Sequence, residues 1–141
     1  MTNLTLTIAA LVSVLPQVES GGNWTTPANS HHAEGGMQVK PIWIADMNRI
    51  LREDGCKFVV TVKTTHCPAT MQWLAEWWLQ HYAAAWERRT DRMSDMHDLA
   101  CFWRFGYAAY CDRRLPWTPK EDAEYGAKVE KALEKQNKAD R

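Results

Sequence analysis

The sequence predicts a mainly α fold, and three observations carry that prediction. Apolar residues recur at helical spacing, not in alternation, along most of the chain. Pro41, Pro68 and Pro119 stand where proline opens a helix. Only one short segment, Phe58 to Lys63, is rich in β-prone residues.

The first helix is expected over residues 4–19, because Ile8, Leu11, Val12, Leu15 and Val18 fall on one face. Pro16 should kink it or mark its last turn. The apolar run from Leu4 to Leu15 resembles the hydrophobic region of a secretory signal. However, no Lys or Arg precedes it, no A-x-A-like site follows, and the first charge is Glu19. It is too short to cross a bilayer, so no stable membrane insertion is expected and it reads as a buried helix. Export would then need another route, such as delivery by a phage or a secretion apparatus.

A Gly-, Asn-, Ser- and Thr-rich loop follows from Gly21 to Gly36, and a turn-rich stretch of that length is usually functional. Trp43, Met47, Ile50 and Leu51 share a face of the helix opened by Pro41. Phe58 to Lys63 reads as a short strand or an extended loop. The helix from Pro68 carries an apolar stripe of Met71, Leu74, Trp78, Tyr82, Ala85 and Trp86. On it, Trp73, Trp77 and Trp78 cannot all face inward. Ser94 or Asp95 can cap a fourth helix bearing Met96, Leu99, Ala100 and Trp103. Thr118, Pro119 and Glu121 form the capping signature of a last helix with Tyr125, Val129 and Leu133 on one face. Its Lys-rich tail, residues 130–141, should fray. No repeat or low-complexity linker divides residues 1–141, so one domain is expected.

Composition narrows the function classes. A chain of 141 residues with 45% hydrophobic residues can bury a core, which excludes disorder and collagen-like fibres. Seventeen basic and seventeen acidic residues give no net charge and no support for a nucleic-acid binder. Eight tryptophans should mostly be core, although tryptophan also lines clefts for sugar rings. Cys56, Cys67, Cys101 and Cys111 allow three disulfide pairings, of which Cys56–Cys67 with Cys101–Cys111 closes the shortest loops. Their spacings are not those of a zinc ribbon or finger, even with His66 beside Cys67, so no metal is expected. His31 and His32 read as solvated loop residues, and Arg88, Arg89 and Arg92 as a solvated helix end.

The chemistry concentrates in Glu19-Ser20-Gly21-Gly22-Asn23 and in Ala33-Glu34-Gly35-Gly36-Met37-Gln38-Val39-Lys40-Pro41. A glutamate closing an apolar helix sits where desolvation favours the neutral acid, the condition for a general acid near neutral pH. The glycine pairs allow sharp turns and close approach of a ligand to backbone. Gln38 supplies an amide that both donates and accepts.

These two segments resemble the signature of the soluble lytic transglycosylases and goose-type lysozymes. In that family a catalytic Glu is followed by Ser, then Gly-Asn, then A-x-G-x-M-Q-x-x-P. Glu19, Ser20, Gly22-Asn23, Ala33, Gly35, Met37, Gln38 and Pro41 match it in order. Leu99 to Gly106 is similar to the aromatic-Asn-x-Gly motif with its preceding Leu-Ala, and Tyr125 to Val129 to a late Tyr-x-x-Lys-Val motif. The likeness runs from residue 8 to about 133, with 54–90 supported by helix placement alone. Four positions depart from the pattern. Arg104 stands for the usual Asn, Phe105 for a small residue, Gly36 for Leu and Trp24 for Pro.

The resemblance implies a lysozyme-like fold, α+β with minimal β, in a single domain with a substrate cleft. It implies cleavage of the β-1,4 bond between N-acetylmuramic acid and N-acetylglucosamine in peptidoglycan. Glu19 would be the acid, and then the base that activates the sugar's own 6-hydroxyl to give a 1,6-anhydro end. Ser20, Met37, Gln38, Trp103 and Tyr125 would contact substrate or surround the acid. No cofactor is implied, and the partner is the glycan strand at the bacterial cell wall, met by a monomer. A hydrolysing muramidase would need a second carboxylate to position water. Glu34 is the nearest candidate, with Asp46 on the next helix. Two rival classes are a glycan-binding module that lost turnover, suggested by Arg104 and Phe105, and a Cys/His metal or redox protein.

Overall fold

A computed structural model describes residues 3–26, 28–29 and 32–140. It is mainly helical: α1 (Asn3–Ser20), α2 (Pro41–Glu53), a short 3-10 turn (Lys63–His66), α3 (Pro68–Thr90), α4 (Met96–Phe105), α5 (Tyr107–Asp112) and α6 (Pro119–Ala139). The β-structure among the described residues is one isolated antiparallel bridge, Glu34 to Val39. No helix among them is long and apolar enough to cross a membrane. The chain forms two compact units, Leu15–Ala75 and the remainder, Met1–Val14 with Glu76–Arg141. Both α1 and α3 pass from one unit into the other.

In the 15–75 unit, α2 buries Trp43, Met47, Ile50 and Leu51, the face its spacing predicts. In the expected segment Phe58 to Lys63, the chain turns at Val62 into the 3-10 turn that starts at Lys63, and residues 58–61 form a loop and no strand. The side chain of Asn48 explains why. Its Nδ2 donates to Val60 O at 3.0 Å and its Oδ1 accepts from Val60 N at 2.8 Å. One amide thus satisfies both backbone groups that a neighbouring strand would otherwise pair.

The other unit holds most of the aromatic core. Trp78 meets Trp103 edge-on at 5.5 Å, and Trp86 lies 5.6 Å from Phe102 and 5.7 Å from Tyr110. Of the three tryptophans close together on α3, Trp78 is buried, Trp77 is partly covered and Trp73 is 51% exposed. α4 packs on α5 and α6. Gly106 separates α4 from α5 with a φ of 95°, a left-handed value that turns the chain before it re-enters a helix. Sequence spacing alone did not distinguish α5 from α4. α6 continues to Ala139 where a frayed tail is expected, and Gln136 accepts a hydrogen bond from Ser13 at 3.2 Å.

All four cysteines are free, so none of the three possible pairings is formed. The side chains have other partners: Cys101 Sγ lies 3.5 Å from Asp122 Oδ1, and Cys67 Sγ donates to Lys63 O. Arg89 and Arg92 are not simply solvated, since Arg89 pairs with Asp112 at 3.0 Å and Arg92 with Asp98 at 3.0 Å. His32 is exposed, whereas His31 lies outside the described residues.

Asp98 organises the start of α4. Asp95 caps the helix, and the two aspartates form a reciprocal capping box: Asp98 N to Asp95 Oδ1 at 2.8 Å, Asp95 N to Asp98 Oδ2 at 2.9 Å. The buried Asp98 carboxylate also accepts from Tyr110 Oη at 2.7 Å. Burial by itself would raise its pKa. The Asp95 N–H, the Tyr110 hydroxyl and the Arg92 guanidinium together outweigh burial and hold it below the usual 3.8. A carboxyl lowered in the folded state stabilises fully above its unfolded value, and that stability is lost as pH falls through the folded value. Asp98→Asn should therefore destabilise the protein by about 2–4 kcal/mol at neutral pH, through lost charged hydrogen bonds and a weakened cap. Thermal melts should show the difference from wild type shrinking below pH 4; a constant difference down to pH 2 would contradict this role.

Candidate functional site

The two segments that carry the family resemblance are folded against each other within the 15–75 unit. α1 ends at Ser20, and the following turn returns Gly21 N to Gln17 O at 3.1 Å and Gly22 N to Pro16 O at 3.0 Å. Glu19 is half-buried in that last helical turn. Ser20 Oγ lies 2.6 Å from Gly36 O and 2.9 Å from Pro16 O. A single hydroxyl thereby ties the end of α1 to the Glu34–Val39 turn.

That turn is closed by two backbone hydrogen bonds of 2.9 Å between Glu34 and Val39. Gly35 has a φ of 76°, and a Cβ there would lie 2.1 Å from the Thr65 carbonyl oxygen. Only glycine fits, because the obstruction is backbone and cannot rotate away. Gln38 is left-handed without being glycine, at a φ of 49°. Its backbone N and its side-chain Nε2 both donate to Gly35 O, at 3.1 and 2.8 Å, and offset the cost of that conformation.

Two departures from the family pattern explain each other. A Cβ on Gly36 would meet the indole of Trp24 at 2.5 Å. The ring of Trp24 thus fills the space that a leucine at position 36 would need. Trp24 O in turn accepts from His66 Nδ1 at 2.7 Å, and His66 Nε2 lies 3.1 Å from Glu34 Oε2. A carbonyl can only accept, so Nδ1 carries a hydrogen and the ring orientation is set from both sides.

The expected site residues are distributed as follows. Ser20 and Gln38 hold the turn together, and Gln38 also accepts from Asn29 Nδ2 at 3.2 Å. Among the described residues these bonds use one N–H and one lone pair of the Gln38 amide. Met37 has no exposed surface, so it contributes packing beneath the turn, not a contact surface for sugar. Glu34 is oriented by His66. Asp46 is spent on α2, where it lies 2.7 Å from Arg49 Nη2, with Glu53 bound 2.9 Å from Arg49 Nη1. Hydrogen bonds to these two carboxylates, Asp46 first, raise the Arg49 pKa further above its ordinary value. Trp103 and Tyr125 belong to the other unit. Trp103 is core there, and Tyr125 is nearly buried, with Phe105 at its edge and the Arg104 guanidinium 5.7 Å over its ring.

His66 and Asn29 were not legible as site residues. Each is joined to its partner by folding alone, His66 to Glu34 across 32 positions. A separate open groove of about 440 Å³ is lined by Asn48, Arg52, Gly55, Cys56, Lys57, Phe58 and Val59, and shares no residue with the turn. Comparison of the chain with protein-family models, with curated proteins and with solved structures returns no match.

The fit between Trp24 and Gly36 is testable by a double-mutant cycle. Gly36→Leu should cost about 1–3 kcal/mol by overpacking. In a Trp24→Ala background most of that cost should vanish, a coupling above 1 kcal/mol in urea unfolding. Additive costs would mean that the ring does not occupy that space.

Proposed function

We propose that the chain is a peptidoglycan-cleaving enzyme of lysozyme-like type, acting as a lytic transglycosylase on the N-acetylmuramic acid–β-1,4–N-acetylglucosamine bond. The observation that carries the reading is the Ser20 Oγ to Gly36 O contact. It joins the segment bearing Glu19 to the segment bearing Gln38, the two elements that the resemblance requires to act together.

In this mechanism the Glu19 carboxylic acid gives its proton to the glycosidic oxygen as the C1–O bond breaks. Positive charge then builds on the muramic ring, with the substrate's N-acetyl group assisting. Glu19, now a carboxylate, takes the proton of the same sugar's 6-hydroxyl as that oxygen bonds to C1. No water is consumed, and the acid is regenerated. The side-chain amide of Gln38 suits an acetamido group, which offers one acceptor and one donor. Where the resemblance has a sugar-contacting amide, this chain has Arg104, whose guanidinium lies 5.7 Å over the Tyr125 ring. The enzyme works at the bacterial cell wall as a monomer, without a required cofactor.

A second reading, a hydrolysing muramidase, is favoured by one observation. Glu34 is a half-buried carboxylate held in orientation by His66, as a water-positioning group must be.

Purified peptidoglycan should release muropeptides when treated with the wild-type protein. Glu19→Gln, with unchanged circular dichroism, should slow that release by about 10²–10⁴-fold. Mass spectrometry should find products lighter by one water. Reducing-end products suppressed by Glu34→Gln would favour the muramidase. No release from several wall types would overturn the enzyme reading in favour of a glycan-binding module.

A further inference from the structure

We infer that His97, Cys101 and Asp122 form a binding site for a divalent transition-metal ion, zinc by its donor set, that links α4 to α6. His97 and Cys101 are four residues apart on α4, hence one above the other on the same face, and Asp122 faces them from the start of α6. One nitrogen, one sulfur and one oxygen converge, all within 4.8 Å of one another.

Two edges of this triangle match the ligand separations of a tetrahedral ion. Zinc bound to sulfur at about 2.3 Å and to nitrogen or oxygen at about 2.0 Å separates its ligands by roughly 3.3–3.6 Å. Cys101 Sγ lies 3.7 Å from His97 Nε2 and 3.5 Å from Asp122 Oδ1. The third edge is closed by a His97 Nε2–Asp122 Oδ1 hydrogen bond, which an ion would replace. His97 is the exposed member, so its ring can open by the required ångström or so while the buried thiol stays in place.

The surroundings are arranged as metal sites are. Trp117 Nε1 donates to Asp122 Oδ2 at 3.0 Å, which orients the carboxylate and leaves Oδ1 for the ion. Gly126 on α6 brings backbone close to the imidazole: a Cβ there would lie 3.0 Å from His97 Nδ1. The donor set of thiolate, imidazole and carboxylate suits zinc better than magnesium or calcium, which take oxygen alone. Three protein ligands leave a fourth position for water.

The buried Cys101 Sγ supplies the sulfur ligand, with the exposed His97 and the Asp122 carboxylate facing it. On binding, the S–H bond breaks, its proton goes to solvent and the sulfur lone pair binds the ion. One thiolate and one carboxylate then neutralise the two positive charges.

Titration of the full chain with zinc alone, under reducing conditions, should show one equivalent bound, one proton released and an affinity that rises about tenfold per pH unit. Cobalt as probe should give a thiolate-to-cobalt charge-transfer band. The band should persist when Cys56, Cys67 and Cys111 are all replaced by Ser. It should disappear in Cys101→Ser, and binding should weaken at least about tenfold in His97→Ala, whose exposed side chain can be removed without disturbing the core. No stoichiometric binding by wild type would overturn the inference. So would a cobalt band that survives Cys101→Ser, or zinc affinity unchanged in His97→Ala.

Discussion

The backbone contact between Gly35 and Thr65 is the constraint on which the candidate site depends. The Thr65 carbonyl oxygen occupies the position of an absent Cβ, so the Glu34–Val39 turn can lie directly on the 3-10 turn Lys63–His66. From that proximity the rest follows. His66 reaches both Glu34 and the Trp24 carbonyl, Thr26 O accepts from Gly35 N at 3.2 Å, and the indole of Trp24 settles over Gly36. Ser20 then needs only its hydroxyl to hold the helix end to the turn. A larger residue at position 35 would meet the Thr65 carbonyl, push the two turns apart and draw His66 away from Glu34.

The other unit relies on a different economy. Its core is aromatic, and one of the polar groups it buries, Asp98, is engaged by a cap, a tyrosine hydroxyl and an arginine. A buried carboxylate with that many donors stabilises, whereas the same group with one donor missing would cost free energy. The Cys101 thiol, by contrast, is buried among negative charges and gains nothing from ionising alone. That difference separates a structural carboxylate from a side chain suited to a cation.

Much of this arrangement was legible in the sequence, and the reasons are local. Pro41, Pro68 and Pro119 mark helix starts because proline lacks the N–H that a first turn cannot satisfy anyway. The buried face of α2 follows from spacing alone, and so does the exposure of one of the α3 tryptophans. The motif pair at 19–23 and 33–41 was visible as residues, but its joining through Ser20 and Gly36 was not. The paired departures Trp24 and Gly36 look like two unrelated substitutions until the ring is seen lying where a side chain would be. His66 with Glu34, and Asp122 with His97 and Cys101, are partners brought together only by folding. The four-residue spacing of His97 and Cys101 was the one signal that could have been noticed. The disulfide state was open in the sequence for the same reason: short loops allow pairing only if the two sulfurs face each other, and Cys101 faces α6.

The proposed glycan seat at the end of α1 and the Gly35–Gln38 turn can be tested by a backbone amide NMR titration of Glu19→Gln with a soluble, uncleaved peptidoglycan tetrasaccharide. Saturable shifts should centre on Ser20, Gly22, Asn23 and Gln38, with the side-chain amide of Gln38 among the largest. Shifts confined to the Asn48–Val59 groove, or no saturable shift at all, would rule that seat out.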